Sequence, residues 1–236
     1  MKQRVFISSL CILTFLTPYM LYAQTSDTTT KIIAVPYISQ APDGNWSAPW
    51  NEACEEASIT MVEVFYHGTE PASAETIKTA IRSMVTWENQ TFRKNDDTDA
   101  EETVQLIDHL GTFQAMIHRQ PTIQELKKEL DENHPIIALL NMYDLYEEHP
   151  QGDSYHVVVL TGYDDAKKEF FLQDPARSEQ KSYAYEKVVH ALHDYNPKTK
   201  EADGVPTVLF TSPLVPSFSL KTFLMGILNF FRHLLS

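Results

Sequence analysis

The first half of the chain has apolar residues at helical spacing. The clearest example is a stripe of small and apolar side chains at intervals of three and four: Cys54, Ala57, Ser58, Met61 and Phe65. This stripe predicts a helix over residues 52–67, ended by Gly68, because glycine suits the left-handed turn that follows a helix. Similar patterns predict two further helices, over residues 74–87 and 100–110.

The second half changes to short apolar runs that are typical of strands. These runs predict strands over residues 112–119, 135–142, 155–162, 169–174 and 205–211. Two helices are predicted between them, over residues 122–133 and 185–194. Helices that come first and an antiparallel sheet that follows are typical of an α+β fold. Because apolar content rises sharply at Ile32, we expect one domain over residues 32–211.

The N-terminus has the pattern of a secretory signal peptide. Two basic residues precede an apolar run, which closes at Ala23 on an acceptable cleavage site. We therefore expect a signal peptide over residues 1–23 and a flexible polar lead-in over residues 24–31, in a protein that is secreted, periplasmic or associated with the cell envelope. The alternative is an uncleaved membrane anchor, which needs about 20 apolar residues without the proline that interrupts this run.

The C-terminus has a second amphipathic pattern. Residues 212–219 contain two prolines and predict a linker. Residues 220–236 then predict a helix with one apolar face, and Arg232 interrupts the run that would be needed to span a bilayer. This helix either packs on the domain or on an envelope partner, or it lies on a membrane surface.

Charge and cysteine content narrow the possible functions. The chain has 19 basic and 32 acidic residues, and removal of residues 1–23 would change the net charge from −13 to 17 − 32 = −15. Such an acidic chain is not expected to bind nucleic acid, whose phosphates need Lys and Arg. Cleavage would also remove Cys11 and leave Cys54 as the only thiol, so packing rather than a disulfide must stabilise the domain.

Cys54 occupies a position that suits a reactive thiolate. It lies in the first turn of the predicted helix, with Asn51 as the expected N-cap, and the N–H groups of that turn lack helical partners. A helix N-terminus and an imidazolium lower the pKa of a thiol. The neighbouring Glu52, Glu55 and Glu56 oppose thiolate formation unless they point outward. The alternative interpretation is that Cys54 is a small buried apolar residue.

A predicted hairpin supplies partners for this thiol. His156 begins one strand, Asp174 ends the next, and their midpoint falls on Asp165 in the predicted turn. Residues placed in this way lie opposite each other on one face of an antiparallel pair. A carboxylate that orients one imidazole nitrogen leaves the other free to accept the thiol proton. The alternative is that His156 is only structural.

Three segments together resemble a known family: VPYISQAPDGNWSAPWNEACEEASITM, YHVVVLTGYDD and FFLQDP. In this order they are similar to family-39 cysteine peptidases, the bacteriocin-processing or double-glycine type with a papain-like fold. The resemblance covers about residues 33–176. It implies that Cys54 is the nucleophile, His156 the base and Asp174 the orienting residue, with the Gln40 side chain at the oxyanion hole. Gln40 stands farther from the cysteine than the matching glutamine does in transporter-linked members.

These features predict a stand-alone secreted cysteine peptidase that acts on peptide or protein substrates through a thioester. No cofactor is expected, and no metal, because His190 and His193 lack a third ligand in the sequence. The same fold and residues also suit a cell-wall peptide amidase or an acyl transferase. A different alternative is a catalytically silent papain-like binding module of the cell envelope.

Overall fold

The computed structural model describes residues 29–69, 73–94, 96–146 and 154–214. The predicted signal peptide and the predicted C-terminal helix lie outside these residues. So does most of the predicted linker. Within the described residues, no helix is long and apolar enough to cross a membrane.

The helices lie mostly in the first part of the described chain. They are α1 (Cys54–His67), α2 (Ala74–Thr91), α3 (Ala100–Leu110), α4 (Ile123–Asp131), α5 (Met142–Tyr146) and α6 (Tyr185–Ala191). Side chains cap α3 and α4. Asp99 and Thr122 each accept a hydrogen bond from the backbone N–H three residues on, and the glutamate at that position accepts one from the backbone N–H of the capping residue. Gly68 ends α1 with φ 61°, as the sequence predicts.

The strands form one antiparallel sheet. They are β1 (Thr30–Ile32), β2 (Phe113–Arg119), β3 (Ile136–Asn141), β4 (Tyr155–Asp164), β5 (Glu169–Asp174), β6 (Ser178–Ala184) and β7 (Thr207–Pro213). The strand order is β2-β7-β3-β4-β5-β6, and β1 pairs with the end of β4. Helices first and a mixed-order antiparallel sheet afterwards confirm the predicted α+β class.

The centre of the sheet forms the core. Every residue of β4 is buried, as are the first five residues of β3, so both faces of these strands are covered. Helix α1 packs against β4, and its first nine residues are buried. Where β1 pairs with β4, its backbone leaves no room for a side chain: a Cβ at Gly162 would lie 2.1 Å from the Lys31 carbonyl oxygen. The burial of its first nine residues fixes the start of α1 against the sheet.

Several local predictions differ from the structure. Asn51 is not the N-cap of α1, because a short 3-10 turn over Trp50–Glu52 comes first and Ala53 precedes the helix without a side-chain cap. Strand β1 begins at Thr30, so the end of the predicted lead-in belongs to the sheet. Strand β7 likewise extends to Pro213, inside the predicted linker. Helix α5 and strand β6 were not predicted.

Candidate active site

Cys54 is the first residue of α1 and lies against an open stretch of β4. Strand β5 pairs with β4 only from Val159 onward. The edge of β4 before Val159 is therefore not paired with β5. Helix α1 fills this space: the Ser58 hydroxyl donates to the Val157 carbonyl oxygen at 3.2 Å. The Val157 backbone N–H approaches the Cys54 sulfur and acts to lower the pKa of the thiol. Cys54 therefore lies beside the residue that follows His156.

His156 and Asp174 form a buried ion pair or hydrogen bond. His156 Nε2 lies 2.8 Å from Asp174 Oδ1, and the two residues are 3% and 1% exposed. Within the described residues, the His156 ring makes no other hydrogen bond, so Nδ1 is the ring nitrogen that remains for a proton from sulfur. The tautomer with hydrogen on Nε2 suits this arrangement, because Asp174 then accepts.

The register of the hairpin differs from the sequence prediction. Val159 pairs with Gln173 and Leu160 with Leu172, with a register shift before Gly162. Continued by one pair, this ladder places Asp174 opposite Val158 rather than opposite His156. The two residues are therefore diagonal neighbours. Diagonal neighbours two residues apart still share a face of the sheet, which is why the contact forms.

Two further groups donate hydrogen bonds to the Asp174 carboxylate. The Tyr146 hydroxyl donates to Oδ2, and the Ala176 N–H donates to Oδ1 at 2.9 Å. Burial alone would raise the pKa of Asp174. The His156 charge and the hydrogen bonds from His156, Tyr146 and Ala176 outweigh burial, so the pKa lies below its ordinary value. Tyr146 is a site residue that the sequence did not identify, because nothing in its spacing relates it to Asp174.

Gln40 lies close to both parts of the site. Its backbone N–H donates to the Pro175 carbonyl oxygen at 3.1 Å, which ties it to the residue after Asp174. Its side-chain Nε2 donates to the carbonyl oxygens of Trp50 and Asn51, at 2.9 and 3.2 Å. Both amide hydrogens thus stabilise the turn before Cys54, while the buried Oε1 has no partner among the described residues. Its role as an oxyanion donor stays a prediction.

The Cys54 thiol is bonded to a carboxylate in this structure. Cys54 Sγ donates to Glu55 Oε2 at 2.9 Å, and both residues are buried, at 5% and 2% exposed. Burial, followed by the charges of Glu55 and Asp97, raises the pKa of the thiol well above its ordinary value. The sequence requirement that the neighbouring glutamates point outward is therefore not met, because Glu55 and Glu56 both point into the protein.

A buried pair of glutamates lies next to this bond. Glu56 of α1 and Glu88 of α2 lie close enough that each affects the pKa of the other, and both are nearly inaccessible. Burial, then the charge of Glu55, raises the pKa of Glu88 to about 8. Nothing in the sequence indicates this pair, since a glutamate in the first turn of a helix, as Glu56 is, is normally solvated.

One group of side chains could in principle hold a metal. The ligand atoms of Glu129, Glu132 and His134 lie within 4.8 Å of one another beside α4. They border a cavity of about 490 Å³ that Met116 and Phe210 also line. His134 Nδ1 already lies 3.0 Å from Glu129, so mutual pairing accounts for the cluster without a metal.

Comparison with known proteins shows the family of this chain. The model of the Peptidase C39-like family matches residues 32–202, most of the chain. The chain belongs to the Peptidase C39-like family. A crystal structure from Bacillus anthracis described as a C39-like peptidase is similar in fold, with a TM-score of 0.52 and 16% sequence identity. The match covers 80% of this chain and 100% of that one. None of the curated proteins compared with the sequence matches it.

The family match confirms the resemblance noted from the three sequence segments, and the structural match confirms the fold. Membership supports a cysteine peptidase-like protein with peptide or protein substrates. At 16% identity, the structural similarity concerns the fold alone. The roles of Cys54, His156, Asp174 and Gln40 in this family member therefore rest on their geometry.

Proposed function

We propose that this protein is a secreted cysteine peptidase that hydrolyses peptide bonds through Cys54, His156 and Asp174. The observation that supports it most is the buried contact between His156 Nε2 and Asp174 Oδ1, at 2.8 Å, beside the N-terminus of the helix that begins at Cys54. A buried carboxylate that fixes the imidazole leaves Nδ1 available to a nucleophile. Among the described residues, no other histidine–carboxylate pair is buried. The geometry of this pair is that of a base with its orienting acid.

The reaction follows from these positions. His156 Nδ1 takes the proton of the Cys54 thiol, and the thiolate attacks the carbonyl carbon of the scissile bond. The C–N bond breaks as the imidazolium returns its proton to the leaving amine, and a thioester remains on Cys54. Water, deprotonated by the same nitrogen, then attacks the thioester and releases the acid product. Asp174 stays ionised and stabilises the imidazolium.

An oxyanion site would lie at the helix start. The backbone N–H of Cys54 belongs to the first turn of α1, whose N–H groups have no helical acceptors. Gln40 is the second proposed donor, and it must exchange its bond to the Trp50 or Asn51 carbonyl for one to the substrate.

The Gln40→Ala substitution tests this assignment. If Gln40 donates to the oxyanion, we expect turnover to fall about 10²–10³-fold. The loss should appear in kcat rather than KM, because the bond strengthens only in the transition state. Thermal melting of the variant provides the control, since the same side chain supports the turn before Cys54. An unchanged rate in a folded variant would remove Gln40 from the site.

The reactivity of Cys54 tests the proposed function. Alkylation by iodoacetamide, followed at the Cys54 peptide by mass spectrometry, reports the thiolate fraction at each pH. We expect His156→Ala to move this profile to higher pH, because the imidazolium no longer stabilises the thiolate. Asp131→Ala, at an acidic residue of α4 on the surface, is the control and should leave the profile unchanged. A profile that His156 does not affect would contradict a Cys–His pair.

A catalytically silent binding module of the cell envelope is the second candidate. The thiol bonded to Glu55, together with the near-complete burial of Cys54, His156 and Asp174, favours it. A silent module would bind its partner equally well after Cys54→Ala and would cleave no member of a peptide library at any pH. Cleavage of one library peptide that Cys54→Ala abolishes would exclude this candidate. The same library assay would separate hydrolysis from amidase or acyl-transfer chemistry by its products.

The proposal extends to location and partners, for which the two terminal segments of the sequence are the support. The apolar run that ends at Ala23 supports export across a membrane, to the outside, the periplasm or the envelope. Residues 220–236 would then contact an envelope partner or a membrane surface. N-terminal sequencing of the exported protein would test cleavage after Ala23.

A further inference from the structure

The carboxyl group of Glu55 occupies a place that the catalytic mechanism above does not use. Its Oε2 lies 2.9 Å from the Cys54 sulfur, whereas the described residues show no hydrogen bond between this thiol and the His156 ring. Neighbouring residues in the first turn of a helix do not normally face each other. A carboxyl group held against the nucleophile therefore needs a cause.

A chain of hydrogen bonds fixes Glu55 in this position. The Thr98 backbone N–H and hydroxyl donate to Glu55 Oε1 at 2.9 and 3.2 Å. The Tyr155 hydroxyl donates to the Thr98 carbonyl oxygen at 2.8 Å, and the Thr98 and Thr103 hydroxyls lie 2.9 Å apart. This chain runs from Cys54 back to Tyr155, the residue before His156. With Oε1 held by Thr98, Oε2 is the oxygen that faces the sulfur.

The protonation state of Glu55 decides what it does to the thiol. An ionised Glu55 accepts from S–H and opposes a second negative charge on sulfur. A neutral Glu55 can instead donate its O–H to a thiolate. Burial acts to raise the pKa of Glu55, whereas the bonds from Cys54 and Thr98 lower it. Burial has the larger effect, so the pKa of Glu55 is raised, and Glu55 takes up a proton at a higher pH than a surface glutamate does.

The groups around Glu55 are mostly acidic. Glu56 lies on the same helix, Glu88 faces it from α2, and Asp97 precedes α3. Tyr155 faces it from β4. The cation Lys94 acts on Glu88 and forms an ion pair with Glu102 at 2.8 Å. Among the described residues, no hydrogen bond or ion pair joins Lys94 to Glu55, so a proton is the species that can neutralise Glu55.

We propose that Glu55 is a positioning residue that controls the nucleophile: ionised, it holds Cys54 as a thiol, and protonated, it donates to the Cys54 thiolate. This proposal rests on the proposed peptidase function. When Glu55 is ionised, one proton lies between sulfur and Oε2, and His156 is neutral. The reactive state has a proton on Oε2 and a second one on His156, with the negative charge on sulfur. The change therefore takes up one proton from solvent.

The Glu55→Gln substitution tests the proposal. Its amide has nearly the same shape, always donates to sulfur and never carries a charge. We expect the Cys54 alkylation profile to move to lower pH by about one unit, equivalent to a tenfold rise in reactivity below the pKa. The alkaline limb of peptide turnover should move to higher pH, because no ionised carboxylate returns to hold the thiol. A merely structural residue would change melting temperature without moving either profile.

Glu56→Gln is the matched control. Glu56 is the next residue, is equally buried and lies beside Glu88 rather than beside sulfur. We expect it to leave both profiles within about 0.3 pH units of wild type, a shift that corresponds to about a twofold change. Equal shifts in the two variants would mean that any lost carboxylate has this effect, and would overturn the assignment to the Glu55–sulfur contact.

The outcomes separate this proposal from the proposed function. If Glu55→Gln shifts alkylation of Cys54 but no peptide is cleaved, the contact stands and the peptidase fails. If peptides are cleaved, His156→Ala moves the alkylation profile and Glu55→Gln does not, the peptidase stands and the proposal is overturned. If Glu55→Gln does not fold, the pH profile of Cys54 alkylation in the wild-type protein tests the proposal instead. Coupled titration of Glu55 and Cys54 gives two inflections, and one inflection overturns the proposal.

Discussion

His156→Ala is expected to lower kcat for peptide cleavage by about four orders of magnitude or more. The substitution removes the only described side chain whose free nitrogen can take the thiol proton and return it to the leaving amine. The Cys54 thiol keeps its bond to Glu55 in this variant, and burial and charge keep its pKa high. Steady-state turnover on a cleaved library peptide measures this effect.

Asp174→Asn is the matched variant for His156→Ala. The asparagine carbonyl can still accept from His156 Nε2 and the Ala176 N–H, and its amide can donate to the Tyr146 hydroxyl oxygen. Only the charge that stabilises the imidazolium is lost, so the loss of turnover should be much smaller than for His156→Ala. Circular dichroism would show that both variants are folded. A folded His156→Ala variant with wild-type turnover would refute the assigned base.

The free energy of unfolding should fall as the pH rises from about 4.5 to about 8. Burial raises the pKa of Glu88 to about 8 and that of Asp194 to about 6, and it raises the pKa of Glu56 as well. In the unfolded chain these groups titrate at roughly 3.9 to 4.3. The native protein therefore binds more protons than the unfolded chain in this window, and stability decreases with pH.

The size of this effect is set mainly by Glu88. A pKa raised to about 8 in the folded protein corresponds to a loss on the order of 3 kcal/mol between the ends of the window. Urea unfolding at pH 5 and pH 8, followed by circular dichroism, measures it. The midpoint should be clearly lower at pH 8.

Glu88→Gln is expected to flatten this pH dependence, because glutamine cannot ionise. Glu75→Gln serves as the control, since Glu75 lies on the same helix and is exposed. It should leave the pH dependence as in the wild type. A midpoint that stays level or rises from pH 5 to pH 8 in the wild type would show that the buried pair is neutralised in some other way.

Local patterns predicted much of the fold because they arise from short-range physics. The stripe from Cys54 to Phe65 and the stop at Gly68 gave α1 nearly to the residue. The apolar runs gave β4 and β5, and with them the shared face of His156 and Asp174. Side-chain alternation tolerates a register error of two residues, so the contact was predicted correctly although the pairing was not.

Elements with weak patterns were missed for a related reason. Strand β6 is polar along most of its length and depends on β5 for its backbone partners. Helix α5 spans five residues, too few for a periodic pattern. Tyr146 reaches Asp174 from that helix, 28 positions away in the sequence. Such contacts depend on long-range packing, which local residue spacing does not encode.

The sequence by itself determined the family, the fold class and the four residues proposed for the site, because helix periodicity, strand runs and short motifs are local. Only the tertiary structure decided the environment of those residues. It placed Glu55 against the Cys54 thiol and committed the Gln40 amide to the turn before Cys54. The pKa of a buried group depends on which charges and donors surround it in space, and those neighbours come from α2, the Thr98 segment and β4.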